Sequence, residues 1–152
     1  MPGAQAALVH QALQSIGIKR AIMLGHSWSG ALATAYALAY PDAVRGLVLL
    51  APVTHPWPGG IGWINDVVAA PVVGPLIAHT LTLPTGYFLL KPGVAGVFSP
   101  DAPPLDYNGR TALAMLLRPR EFIANAQDLA DLKEFVRVQA PRYGELQMPT
   151  AI

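Results

Sequence analysis

Apolar and polar positions along this chain come in blocks, and the texture of the blocks changes once, near Pro52. Residues 5–16 place Ala7, Leu8, Leu13 and Ile16 among glutamine and histidine, and Gly17 follows. That mixture predicts an amphipathic helix with a glycine stop. Residues 18–24 end in Ala21, Ile22, Met23 and Leu24, a short uncharged run that predicts a strand. Residues 31–40 are alanine-rich and are stopped by Pro41, the signature of a helix. The next run, residues 46–51, is almost continuously apolar and suits a central parallel strand covered on both faces. Helix, strand, helix, strand in this order predicts the crossover unit of an open parallel sheet, so the fold class is α/β.

Beyond Pro52 the periodicity breaks up. Ten of the fifteen prolines lie between Pro52 and Pro104. Thr54 to Pro58, with Gly59 and Gly60, make a breaker-rich loop. Apolar pieces at 63–70, 72–81 and 87–90 alternate with the breakers and predict an irregular helical insertion. Residues 110–117 and 121–138 read as better helices, the second with Pro119 near its start. Phe122, Leu129, Leu132 and Phe135 recur at intervals of seven, three and three, which fits one helix face or two short helices joined near Asp128. Residues 146–152 look like the entrance to another core strand.

Composition narrows the functional classes. The 152 residues are 53% hydrophobic and 12% charged, against about 25% charged in an average globular chain. A net charge of +1 leaves no electrostatic footprint for nucleic acid. With no cysteine there are no disulfides and no thiolate chemistry. The first fourteen residues lack the basic start and long apolar core of a secretory signal, so the expected location is cytoplasmic. Residues 67–90 carry no charge over a length that would span a bilayer, but Pro71, Gly74, Pro75, Pro84 and Gly86 interrupt it. A buried or pocket-lining segment is the better reading, with peripheral membrane contact left open.

The chemistry concentrates at residues 25–30, Gly-His-Ser-Trp-Ser-Gly, between the first strand and the alanine-rich helix. A serine between small residues at a strand-to-helix turn is held in a strained conformation that exposes its oxygen. The segment resembles the nucleophile elbow of the α/β-hydrolase superfamily, in its serine-nucleophile, capped form. Residues 4–55 carry the likeness well. The fifth motif position departs from it, with Ser29 where glycine is commonest and Gly30 one place later.

That resemblance implies a partial α/β-hydrolase fold with a helical cap. Residues 1–53 would be the core with its elbow, 54–145 the cap, and 146–152 the start of the next core strand. It also implies an internal fragment, lacking the N-terminal strands and the C-terminal Asp/His region, and inactive alone. Ser27 would be the nucleophile and the backbone N–H of Trp28 an oxyanion donor. His55, Trp57 and Trp63 are the candidate substrate-binding residues. Serine rather than aspartate at the elbow favours hydrolysis of ester, thioester, amide or carbon–carbon bonds over epoxide opening or halide displacement.

The triad partners do not declare themselves. His10 reads as exposed on the first helix, His26 as a motif residue, His55 as a loop residue near the mouth, and His79 as part of the cap. Asp66 is the first acid after the second strand, and Asp128, Asp131 and Glu134 with Lys133 and Arg137 form a solvated helix face. No spacing suggests a metal, and no cofactor is expected. The expected activity is esterase- or lipase-like hydrolysis of an apolar or uncharged small molecule, in a protein of open oligomeric state. A non-catalytic α/β-hydrolase-like binding or scaffold protein is the alternative.

Overall fold

Three parallel strands in the order β1-β2-β3 make the sheet in the computed structural model, which describes residues 1–60 and 62–152. They are β1 (Ala21–His26), β2 (Val44–Leu50) and the short β3 (Thr150–Ala151). Ile22 pairs with Gly46 and His26 with Leu50, and Leu47 pairs with Thr150 across the other edge of β2. Helices α1 (Pro2–Ser15) and α2 (Trp28–Ala39) precede and follow β1. The two predicted strands and two predicted helices are therefore present, each displaced by a few residues. The α/β class is thus observed, in the arrangement expected of a partial α/β-hydrolase fold.

The core follows from side-chain size. Ala33, Tyr36 and Ala37 of α2 are fully buried with Ala6 of α1 and with Val44, Leu47 and Leu49 from β2 and its entry. Alanines let α2 lie close to the sheet, and Tyr36 fills what they leave. The His10 ring stacks on Tyr40 at 3.8 Å, donates or accepts at the Tyr36 hydroxyl (3.0 Å), and meets Gln14 Nε2 at 2.8 Å. His10 is therefore half-buried and engaged, not exposed. Burial, with the Tyr40 phenol beside it, pushes the Tyr36 hydroxyl above its ordinary pKa.

One expectation about the sheet needs correcting. Its second face is not covered by these residues: Ile22, Leu24 and Leu50 are 67%, 62% and 48% exposed. Both α1 and α2 pack into the cluster around Met23, Leu47 and Leu49, leaving the side chains of opposite parity on β1 outside it.

The chain divides into two compact units, Met1–Gly59 with Asp131–Ile152, and Gly60–Ala130. The helical unit is thus narrower than the expected 54–145 segment. Residues 54–59 and 131–145 go with the sheet, because Leu132 and Val136 pack on Ala31 together with Trp28, Val53 and Trp57. α7 (Pro119–Gln139) is one continuous helix, and it decides between the two readings of residues 121–138. The buried Gln139 amide donates to Ala31 O (3.2 Å), Thr34 Oγ1 (2.9 Å) and Tyr143 Oη (3.1 Å), and Tyr143 donates to Thr54 O (2.8 Å).

The helical unit is built from α3 (Trp63–Ala69), α4 (Val73–Thr80), α5 (Thr82–Phe98) and α6 (Tyr107–Arg110). α5 is far longer than the predicted 87–90 piece. Pro84 falls in its first turn, where no amide is needed. Gly86 packs rather than breaks, since a Cβ there would lie 2.3 Å from Leu117 Cδ2. The predicted helix 110–117 is instead the end of α6 and a 3-10 turn at Leu113–Leu117. Ala112 adopts φ 51° between them, and the Thr111 hydroxyl caps back onto Tyr107 O at 2.7 Å. Among the described residues no single helix is long and apolar enough to cross a membrane; α4 and α5 together would be, but bend by 67°.

The bare sheet face predicts association. The 152-residue chain should elute from size exclusion ahead of a monomer, and Ile22→Lys with Leu24→Glu should delay it, because unpaired apolar sheet surface recruits a partner. A sharp monomer peak for the parent chain contradicts this.

Candidate active site

Backbone packing decides the shape of the 25–30 turn. Ser27, between the last residue of β1 and the first of α2, has φ 51° and ψ −119° and is exposed. A β-carbon in that region is strained, and it persists only where the surroundings hold it. Three hydrogen bonds do so. The Ser27 amide donates to Leu50 O (3.1 Å), and its carbonyl accepts from the amides of Gly30 and Val53, both at 2.9 Å. Both backbone groups of this serine are therefore tied, two of the three bonds to the chain at and beyond the end of β2.

The small residues around it are required by contact. A Cβ on Gly25 would sit 2.5 Å from Ser29 O, and one on Gly30 would sit 2.4 Å from Pro52 Cβ. Gly25 lets the strand meet the helix, while Gly30 lets the helix meet the segment leaving β2. Ser29, the departure from the commoner glycine, has its own use. Its hydroxyl accepts from the His26 amide and donates to the His26 carbonyl, both at 2.8 Å, clipping the turn shut. A second strained residue, Ala51 at φ 41°, turns the chain as it leaves β2 toward Pro52 and Val53. No motif announced Ala51; its only signal was its place between a strand run and proline.

The Trp28 amide is the first of α2, at the positive end of the helix dipole, where an anion is favoured. The Trp28 side chain packs with Val53 and Trp57 against Ala31, Leu132 and Val136. His55 is exposed, with Nδ1 3.0 Å from Thr54 Oγ1 and its ring edge-on to Tyr143 at 5.6 Å. Ser27, Trp28, His55 and Trp57 thus share the sheet-bearing unit. Trp63, 74% exposed, opens α3 in the helical unit.

The remaining histidines and acids have ordinary duties. His79 Nδ1 lies 2.8 Å from Pro75 O, one turn back in α4. Glu134 and Arg137 form an exposed two-point pair on α7, whose hydrogen bonds hold the carboxyl below its usual range and the guanidinium above. Asp66 is exposed in the first turn of α3. Among the described residues no three His, Asp or Glu side chains gather as metal ligands. No motif in the sequence marks the Gln139–Thr34–Tyr143 network behind the turn; its one signal is Thr34 within the alanine-rich 31–40 run.

Known proteins share parts of this sequence and of this fold. The family model described as alpha/beta hydrolase fold matches residues 3–70. The chain is 36% identical over 99 residues to the human (Lyso)-N-acylphosphatidylethanolamine lipase, covering 58% of this chain and 27% of that protein. It is 49% identical over 43 residues to the protein of the same name from Bos taurus, covering 28% and 13%. The chain therefore spans about a quarter or less of the curated relatives it matches. Among solved structures, the epoxide hydrolase CorEH superposes with a TM-score of 0.67 over 98% of this chain and 56% of its own, at 16% identity. A structural likeness at so low an identity shows the fold alone.

Substitutions at the turn should separate its contacts. Gly30→Ala must displace Pro52 and should cost about 1–3 kcal/mol, as overpacking does. Ser29→Ala loses the clip and should cost about 1 kcal/mol. Ala51→Gly should be neutral to slightly stabilising, because relief of about 1–2 kcal/mol of left-handed strain offsets the added chain entropy. Urea-unfolding midpoints check the order; a Gly30→Ala protein as stable as the parent removes the close approach at Pro52.

Proposed function

We propose that this chain, which belongs to the α/β-hydrolase fold family, carries the nucleophile of a serine hydrolase acting on esters of apolar acyl groups. The observation that carries the reading is Ser27: exposed, at positive φ, with its own amide and carbonyl both bonded into the sheet end. Strain of ~1–3 kcal/mol at an exposed serine, held by close approaches at Gly25 and Gly30, supports the reading of a residue fixed for chemistry.

In this reading Ser27 Oγ attacks the ester carbonyl carbon while a general base takes its proton. Negative charge forms on the carbonyl oxygen, and the Trp28 N–H with the start of α2 stabilises it. Collapse expels the alcohol, which receives the proton, and leaves an acyl group on Ser27. Water then attacks the acyl carbon, releases the acid and regenerates the hydroxyl. Because Ser27 makes its backbone bonds before substrate arrives, none of this requires the turn to reorganise.

An apolar acyl group is supported by the helical unit, Gly60–Ala130, which we read as the cap. Tyr87 and Phe88 on α5 are both largely exposed there. The lipase names of the relatives matched support a lipid ester as the substrate class.

A fluorophosphonate probe applied to the protein expressed from its full reading frame tests the assignment. The parent should label, and Ser27→Ala should lose both labelling and ester turnover by about 10⁴-fold or more. Equal labelling after Ser27→Ala, or a folded parent that never labels, overturns the proposal, the latter in favour of a non-catalytic binding protein.

A further inference from the structure

The helical unit contains a groove that catalysis at Ser27 does not explain. Gly86, Leu89, Gly93 and Val97 follow one stripe of α5, and Leu113 and Leu116 of the 3-10 turn face them across a cavity of about 430 Å³. That is within the ~300–1,000 Å³ of small-ligand sites. No charged side chain lines it. From residue 86 to 97 the stripe runs about 16 Å along the helix, a length that an extended alkyl chain matches.

A second cavity of about 390 Å³, with polar side chains among its walls, shares Val94 and Tyr107 with the first. Lys91, the one charged residue of α5, lines this chamber with Asp106 and Asn108. One lysine and one aspartate leave it without net charge. The Asn108 side-chain oxygen is buried with no hydrogen-bond partner. A buried acceptor left unsatisfied is destabilising, and a ligand donor reached by a turn of the amide would relieve that.

We propose that α5 and the 106–117 segment form a binding site for a single-chain amphiphile. The alkyl chain lies along Gly86, Gly93 and Val97. A neutral head group bearing a hydroxyl or amide N–H sits beside Asn108, between Lys91 and Asp106. The site concerns binding and stands independently of the nucleophile at Ser27.

Two glycines allow a clean test. A Cβ on Gly93, which lines the groove, meets nothing within 4 Å, and neither does one on Gly96, which does not line it. Both substitutions replace a helical glycine by a better helix former, so neither should harm folding. Binding of monolaurin, of methyl laurate and of laurate is measured by calorimetry below their aggregation thresholds, on the Ser27→Ala chain so that hydrolysis plays no part. Monolaurin should bind at least tenfold more tightly than the other two. Gly93→Leu should weaken all three at least tenfold, and Gly96→Leu none. Asn108→Leu should erase the preference for monolaurin over methyl laurate while leaving the urea midpoint unchanged or raised.

Equal affinity for the three ligands, or equal effects of Gly93→Leu and Gly96→Leu, overturns the proposal. So does an Asn108→Leu chain that keeps the preference. A parent chain that is dimeric, and becomes monomeric only with Gly93→Leu, assigns the groove to a second copy and likewise overturns it.

Discussion

Backbone meets backbone at Gly25 and Gly30 more closely than any side chain would permit. A methyl group at Gly25 would strike Ser29 O, and one at Gly30 would strike Pro52. Because these approaches exist, α2 starts directly at the end of β1, and the segment leaving β2 lies near enough to bond the Ser27 carbonyl through Val53. The positive φ of Ser27 follows from this crowding, since a strand and a helix joined by one residue leave it no relaxed conformation. Exposure of the hydroxyl follows in turn.

Support for the turn comes from sequence-distant residues. Gln139, at the end of α7, reaches Ala31 O and Thr34 on α2, and Tyr143 passes the linkage to Thr54. A buried amide with several partners is costly to disturb, because losing one partner leaves the others unsatisfied. Residues 131–145 therefore fix α2 and the 54–57 loop at once. This explains why the sheet-bearing unit closes with a segment more than seventy residues beyond Gly59.

The parts legible in the sequence were those set by local rules. Strand-like runs, an alanine-rich helix stopped by proline, and small residues flanking a serine led to β1, α2, β2 and the turn. What escaped was set by contact between distant segments. Gly86 looked like a breaker, but its missing side chain admits Leu117, and α5 runs through it. Ala112 looked helical, yet it takes a left-handed conformation that ends the run. Ala51 carried no motif for its strained conformation, which sits beside the residue that lies against Gly30. The substrate-binding candidates separated by unit for the same reason: Trp57 joined the cluster of Ala31, Leu132 and Val136, while Trp63 opened a different compact unit.

The two points at which the chain leaves and re-enters the sheet-bearing unit are held together. Lys133 Nζ donates to Gly59 O at 2.6 Å, although 74 positions separate them in the chain. A segment whose ends are already neighbours closes its loop without stretching the framework, and closure entropy grows only slowly with the length enclosed. The sheet, turn and strained serine therefore set few demands on how long the segment between Gly59 and Asp131 is, provided that it ends in the helix that continues as α7.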